Sequence, residues 1–267
     1  GSTNGVSISK LLMSGMLPGI LTAVVLCLYG YVVAKKENFP KSFDQFSLKR
    51  VLKSLKGAVW ALMMPLIILG GIYGGIFTPT ESAMIACAYG LVVSFFVTKE
   101  LTVKNFFDVV SKTAASTANV TVMFLAAQVF GFLIAYYDIT TTIANFFVAV
   151  SPNWIIFMGL VFILLTITGM FMEVGATNEI LSPLLAPVAA AFGIDPIHFG
   201  MVFVFLLALG QATPPFGSTM FIACGISGER VAAVIRRLLP FVLVEYACAL
   251  VFAYVPWFST FLPSLMA

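Results

Sequence analysis

"LALGQATPPFGSTMFIA", residues 207–223, decides the fold of this chain. It lies within a long apolar segment. Two consecutive prolines, Pro214 and Pro215, stand between Gly210 and Gly217, among the polar residues Gln211, Thr213, Ser218 and Thr219. Proline has no backbone N–H, and its ring clashes with the carbonyl four residues earlier, here on Gly210 and Gln211. Thr213, preceding a proline, is pushed out of helical geometry. One proline reads as a kink; two, bracketed by glycines and small hydroxyls, predict a true interruption of the helix.

Composition makes that interruption costly. The 267 residues are 61% hydrophobic and 9% charged, with a mean hydropathy of +1.07. A soluble domain carries roughly 25% charged residues, so this chain cannot cover itself with a water-facing surface. Its apolar runs are continuous and about as long as the ~20 residues a bilayer core requires, without the ~10-residue alternation of barrel strands. The expected fold class is an all-α polytopic membrane protein. In hydrocarbon an unpaired backbone carbonyl is tolerated only where protein or an aqueous cavity supplies a partner.

Spans are expected at 10–34, 57–76, 80–98, 114–136 and 238–256, with the interrupted helix at 196–227. Three amphipathic stretches read as interfacial: "SLKRVLKSLKGAVW" (47–60), "VKNFFDVVSK" (103–112) and "GERVAAVIRRLL" (228–239). "ITTTIANFFVAV" (139–150) is shorter, and Ser151-Pro152-Asn153 signals a helix start. Residues 154–172 are strongly apolar, stop at "EVGATNE", and resume as "ILSPLLAPVAAAFG", which is short and proline-rich for a full span.

The basic residues test this topology. Of 14 Lys and Arg, seven lie between Lys35 and Lys56, three between Lys99 and Lys112, and three between Arg230 and Arg237. The span count places all three clusters on one side, cytoplasmic by the positive-inside rule, and the C-terminus on the periplasmic side. Clusters at the ends of apolar runs are not the exposed basic face, interleaved with aromatics, that nucleic acid requires. Cys27, Cys87, Cys224 and Cys248 all lie in apolar segments without close spacing and read as small hydrophobes. The single histidine leaves no His-based metal site in this chain. The opening "GSTNGVSISK" has neither initiator Met nor signal-peptide pattern, and reads as the start of a piece of a longer product.

"IFTPTESA" (76–83) looks like the central motif but differs in kind. Thr78, Pro79 and Glu81 take the N-cap, N1 and N3 places of a capping box, so Glu81 is expected to cap rather than transport. In the interrupted helix, by contrast, unwound carbonyls and half-helix ends are how secondary transporters bind ions, while half-helix N-termini face anionic substrate. Gly210, Gln211, Ala212, Thr213 and Gly217 are the expected cation site there; Pro214, Pro215, Ser218 and Thr219 are the expected substrate side. Hard oxygens suit a small alkali cation, Na⁺.

"MFMEVGATNEILSP" (170–183) supplies the partner feature. Two apolar arms meet at a polar turn, as in a re-entrant hairpin over 154–192. Glu173, Gly175 and Thr177 join the expected Na⁺ site and Asn178 the substrate side. Glu173 and Glu179 have a second reading, as caps bonded to nearby N–H groups. Asp195 and His198, in "GIDPIHFG", read as a loop and helix start rather than a proton relay, and Glu245 as pairing with a neighbouring helix.

"GGIYGGIFTPTESA", "SPLLAPVAAAFGIDPIHFG" and "LALGQATPPFG", in this order, resemble the large membrane subunit of the TRAP (tripartite ATP-independent periplasmic) transporters. The resemblance runs from about residue 6 to the C-terminus and covers the second half of such a subunit. It implies a bacterial inner-membrane permease that imports a carboxylate substrate, sialic acid or a C4-dicarboxylate, on a Na⁺ gradient, with no organic cofactor. The implied partners are the preceding half of the subunit, a small membrane subunit, a periplasmic substrate-binding protein and the surrounding membrane lipids. It further implies half of an inverted-repeat elevator: scaffold at 1–112, transport domain at 113–227, then an arm and final scaffold helix at 228–267. A polytopic membrane enzyme acting on a lipid is the alternative; the nearest thing to its acidic cluster is Glu173 with Glu179. No Walker motif suggests an ATP-driven pump.

Overall fold

Prolines, glycines and short polar caps divide an otherwise continuous apolar chain into helices, and no strand occurs among the described residues. The computed structural model describes residues 5–39, 47–228 and 230–265, with some helical side chains, Ser218's among them, outside the described set. By packing, residues 34–120 form one unit, and residues 1–33 with 121–267 form another.

In the smaller unit α3 (Leu48–Tyr73) packs against α4 (Pro79–Val92), which runs on as a π-helical turn, Val93–Val97. The connecting turn is tight: the Ile76 and Phe77 N–H groups both donate to Gly71 O, at 3.0 and 3.1 Å. A Cβ on Gly71 would lie 2.5 Å from the Phe77 ring. Thr78 and Glu81 complete the expected capping box. Thr78 N–H donates to Glu81 Oε2 at 2.8 Å, and Glu81 N–H donates to Thr78 Oγ1 at 3.3 Å. Higher up the pair, Tyr89 OH donates to Trp60 O at 2.8 Å.

The amphipathic stretches are not separate elements. The one at 47–60 and the span after it are the single 26-residue α3, and 103–112 is the first part of a 34-residue helix, α5 (Val103–Tyr136). Nothing between each pair stops a helix: Gly57 is only a weak breaker, and the polar faces keep the helical register of the apolar ones.

The larger unit begins with α1 (Ile8–Ser14) and α2 (Met16–Lys36) and resumes within α5. Then come α6 (Ile139–Val150), α7 (Trp154–Phe171), α8 (Val174–Ala191), α9 (Pro196–Ala212), α10 (Ser218–Ser227), α11 (Val231–Tyr254) and α12 (Trp257–Ser264). The stretch at 228–239 is likewise part of α11, which continues through Pro240. α12, not expected from the sequence, turns 63° from α11 at Val255–Pro256.

α9 is the hub: α1, α7, α8, α10, α11 and α12 all pack on it. Phe157, Val161 and Leu165 of α7, Leu206 and Leu207 of α9, and Ala253 of α11 are buried in one cluster. Asp195 accepts from the Ile197 and His198 N–H groups at 2.8 and 3.0 Å and starts α9, the helix-start role expected of it. His198 is buried, with Nδ1 2.7 Å from Ser259 Oγ and Nε2 3.1 Å from Ala253 O, which ties α9 to α11 and α12. Glu245, expected to pair with another helix, is half-buried on α11, and its side chain makes no hydrogen bond to another described residue.

Large apolar side chains such as Leu28, Leu66 and Leu243 are 60% or more exposed. Apolar surface on this scale has no place in water and marks a lipid- or protein-facing periphery. Among the described residues four helices are long and apolar enough to cross a membrane, or five if the bent α11–α12 pair is one span. α7 is one of the four; α8, interrupted chemically by Pro183 and Pro187, is not, though it runs as 18 helical residues.

Candidate functional site at the interrupted helix

α9 stops at Ala212 because the next residues have no helical bonds to offer. Thr213 is extended, at φ −96° and ψ 132°, and turns its N–H to Gly210 O at 3.0 Å. Its hydroxyl takes over the ordinary duty of that N–H and donates to Leu209 O at 2.7 Å. The helical donor for Gln211 O would be Pro215, which has no N–H, and that for Ala212 O would be Phe216, which lies in the turn. Among the described residues no hydrogen bond reaches either carbonyl. The break predicted from the sequence is real, and it leaves the Gln211 and Ala212 carbonyls without a hydrogen bond among the described residues, the Gln211 oxygen lying against Gly217. The Pro214–Pro215 peptide bond is cis.

α10 then starts without a side-chain cap. Its N-cap, Gly217, donates to Thr213 O at 3.1 Å and accepts from Phe221 N–H at 3.2 Å. A Cβ at Gly217 would run into Gln211 O and lie 2.7 Å from Thr213 O and 2.9 Å from Thr213 N, so only glycine fits. The break therefore sets two opposed half-dipoles beside one another: the negative C-terminal end of α9 and the positive, uncapped N-terminal end of α10.

The second corner lies between α7 and α8. Met172 is extended and its N–H returns to Thr168 O at 2.8 Å. Glu173 is the N-cap of α8: its Oε2 accepts from Ala176 N–H at 3.1 Å. The buried Thr177 closes back on it, with Oγ1 donating to Glu173 O at 2.9 Å. Gly175 leaves room for the cap, since a Cβ there would meet Glu173 Oε2 at 2.9 Å and push the carboxylate aside. Of the two readings of Glu173, the geometry gives the cap.

Two glycines bring the corners together. A Cβ on Gly210 would stand 2.5 Å from Gly169 Cα, and one on Gly169 would stand 3.1 Å from Leu207 O. The backbones of α7 and α9 thus touch three residues before Met172 and three before Thr213. Just beyond, the Phe171 and Phe216 rings lie 5.4 Å apart. Glu173, Gly175 and Thr177 form one corner, and Gln211, Ala212, Thr213, Pro214, Pro215 and Gly217 the other. Thr219 and Pro215 are exposed at the latter, while the side chain of Ser218 lies outside the described residues.

Asn178 is placed differently. It lines a mostly apolar cavity of about 290 Å³ bounded by α1, α8 and α9, shared with Phe199, Gly200, Phe203 and Val204 of α9, well before the break. No group of three or more His, Cys, Asp or Glu that could hold a metal occurs among the described residues.

Two participants escaped the sequence reading. Gly169, a small residue in an apolar run, carried a packing signal that could have been used. Tyr246 of α11, 3.1 Å from Thr213 Oγ1 through its hydroxyl, carried none.

A family model described as the tripartite ATP-independent periplasmic transporter, DctM component, matches residues 2–258. The chain belongs to this family. It is 39% identical over 250 residues to the isethionate TRAP transporter permease protein DctMQ of Oleidesulfovibrio alaskensis, covering 94% of this chain and 39% of that protein. It is 34% identical over 260 residues to the sialic acid TRAP transporter permease protein SiaT of Haemophilus influenzae, covering 97% and 42%. It is 34% identical over 264 residues to the C4-dicarboxylate TRAP transporter large permease protein DctM of Rhodobacter capsulatus, covering 97% and 59%. The chain spans between two-fifths and three-fifths of the length of these relatives. The family and its relatives are transporter permeases, not enzymes, which removes the lipid-enzyme alternative.

Proposed function

We propose that this chain is the cation-binding half of a permease that imports an organic anion across the bacterial inner membrane on a Na⁺ gradient. The supporting observation is the pair of carbonyls left without hydrogen bonds, Gln211 and Ala212, at the negative end of α9 and beside the Glu173–Thr177 corner. In a membrane such oxygens need a partner, and Na⁺ takes hard oxygen ligands. The uncapped start of α10, with Thr219 exposed beside it, suits the carboxylate of the substrate. A carboxylate, sialic acid or a C4-dicarboxylate, is the substrate class; the anionic groups in the relatives' names fit the same helix end.

The partners are the remainder of the large subunit, a small membrane subunit and a periplasmic binding protein. The basic clusters face the cytoplasm and the C-terminus the periplasm. Transport proceeds as an elevator in which the hairpin at 154–192 and the interrupted helix at 196–227 move together. The burial of Ala253 and the Tyr246–Thr213 bond support adding α11 to that moving body, rather than ending it at residue 227.

The test is uptake by the full-length transporter in proteoliposomes. Uptake that requires both a Na⁺ gradient and the binding protein supports the proposal. Uptake indifferent to Na⁺ refutes it.

A further inference from the structure

We propose that Tyr246 is a positioning residue for the cation site, its hydroxyl donating to Thr213 Oγ1 and so fixing the carbonyls of the interrupted helix. The inference rests on the Na⁺-binding reading of that site and adds to it a residue from another helix. A hydroxyl has one proton to give. Thr213 Oγ1 lies 2.7 Å from Leu209 O, which can only accept, so its proton goes there. At 3.1 Å from the same Oγ1, Tyr246 OH is then the donor. Donation from Tyr246 locks the Thr213 rotamer in the one orientation that closes the end of α9.

Thr213 is where such a lock has most effect. The two residues after it have no N–H, so neither can hold Gln211 or Ala212 by a main-chain hydrogen bond. Thr213 bonds backward through its N–H to Gly210 O and its hydroxyl to Leu209 O, and forward through its carbonyl to Gly217 N–H. Its side chain is only 5% exposed. The ring of Tyr246 packs on Phe162 of α7, with centroids 6.1 Å apart, so the hydroxyl is held from outside the break. Packing resides in the ring and positioning in the hydroxyl, which makes the two roles separable.

The experiment is uptake by the full-length transporter, with its binding protein, in proteoliposomes across a range of Na⁺ concentrations. Tyr246→Phe keeps the ring and removes one hydrogen bond, so the Na⁺ concentration for half-maximal uptake is expected to rise about fivefold. The maximal rate at saturating Na⁺ stays unchanged. Thr213→Val removes the acceptor and raises the Na⁺ requirement at least as far, and the double variant goes no further than Thr213→Val alone. Wild-type Na⁺ dependence in Tyr246→Phe overturns the inference while leaving the cation site standing, as do additive single effects. Loss of uptake at all Na⁺ concentrations with a lowered unfolding temperature also overturns it, since the hydroxyl would then serve stability. If the unaltered transporter ignores Na⁺, the underlying reading fails and the inference falls with it.

Discussion

At the scale of single residues, the site is built by what is missing. Gly169, Gly210 and Gly217 leave out side chains, and Pro214 and Pro215 leave out donors. The Gly169–Gly210 contact is backbone against backbone, so neither neighbour can step aside for a methyl group. Gly210→Ala is expected to cost about 1–3 kcal/mol by overpacking, read as a lower unfolding temperature of the purified transporter in detergent. An unshifted transition would mean that α7 and α9 do not meet there. Of these residues, the prolines and Gly217 were legible in the sequence because their effect is local. Gly169 and Tyr246 act through tertiary contacts, and no sequence spacing connects position 169 with 210 or 246 with 213.

At the scale of elements, local signals predicted where helices stop but not where they fail to stop. Thr78-Pro79-x-Glu81, Asn153, Asp195-Pro196 and Thr213-Pro214-Pro215 each mark a boundary through a cap or a missing donor, and each is a boundary in the structure. A change of polarity divides the amphipathic stretches from their spans in the sequence, but that is a surface property and need not interrupt backbone hydrogen bonding; α3, α5 and α11 run through those points. Pro183, Pro187 and Pro240 are each tolerated singly within a helix. The twin prolines are not. Replacing both Pro214 and Pro215 by Ala restores two N–H donors to the carbonyls of Gly210 and Gln211, and is expected to extend α9 through the break. The full-length variant should insert and fold but lose Na⁺-coupled uptake in proteoliposomes. Wild-type uptake would show that the break carries no function.

At the scale of the whole molecule, the distribution of charge is the main guide to orientation. Thirteen of 14 basic residues fall in three clusters, which the spans expected from the sequence would put on one side. In a Cys→Ser background of the full-length transporter, Lys53→Cys, Lys104→Cys and Arg236→Cys should react with an impermeant maleimide only from the cytoplasmic face. Thr80→Cys and Tyr137→Cys should react only from the periplasmic face. Labelling of Arg236→Cys from outside would break the topology at the interrupted helix. The sequence suggests a boundary after residue 227; in space α11 packs on α9 and contributes Ala249, Phe252 and Ala253 to the same core, since packing follows apolar faces rather than order along the chain.

The central claim, that main-chain oxygens are left open at the break to bind Na⁺, is tested most directly by density maps of the full-length transporter with and without the ion. The account predicts a Na⁺-dependent peak within coordination distance of the Gln211 and Ala212 carbonyls, beside the Glu173–Thr177 corner. Maps identical in both conditions, or a helix continuous from α9 into α10, would contradict it.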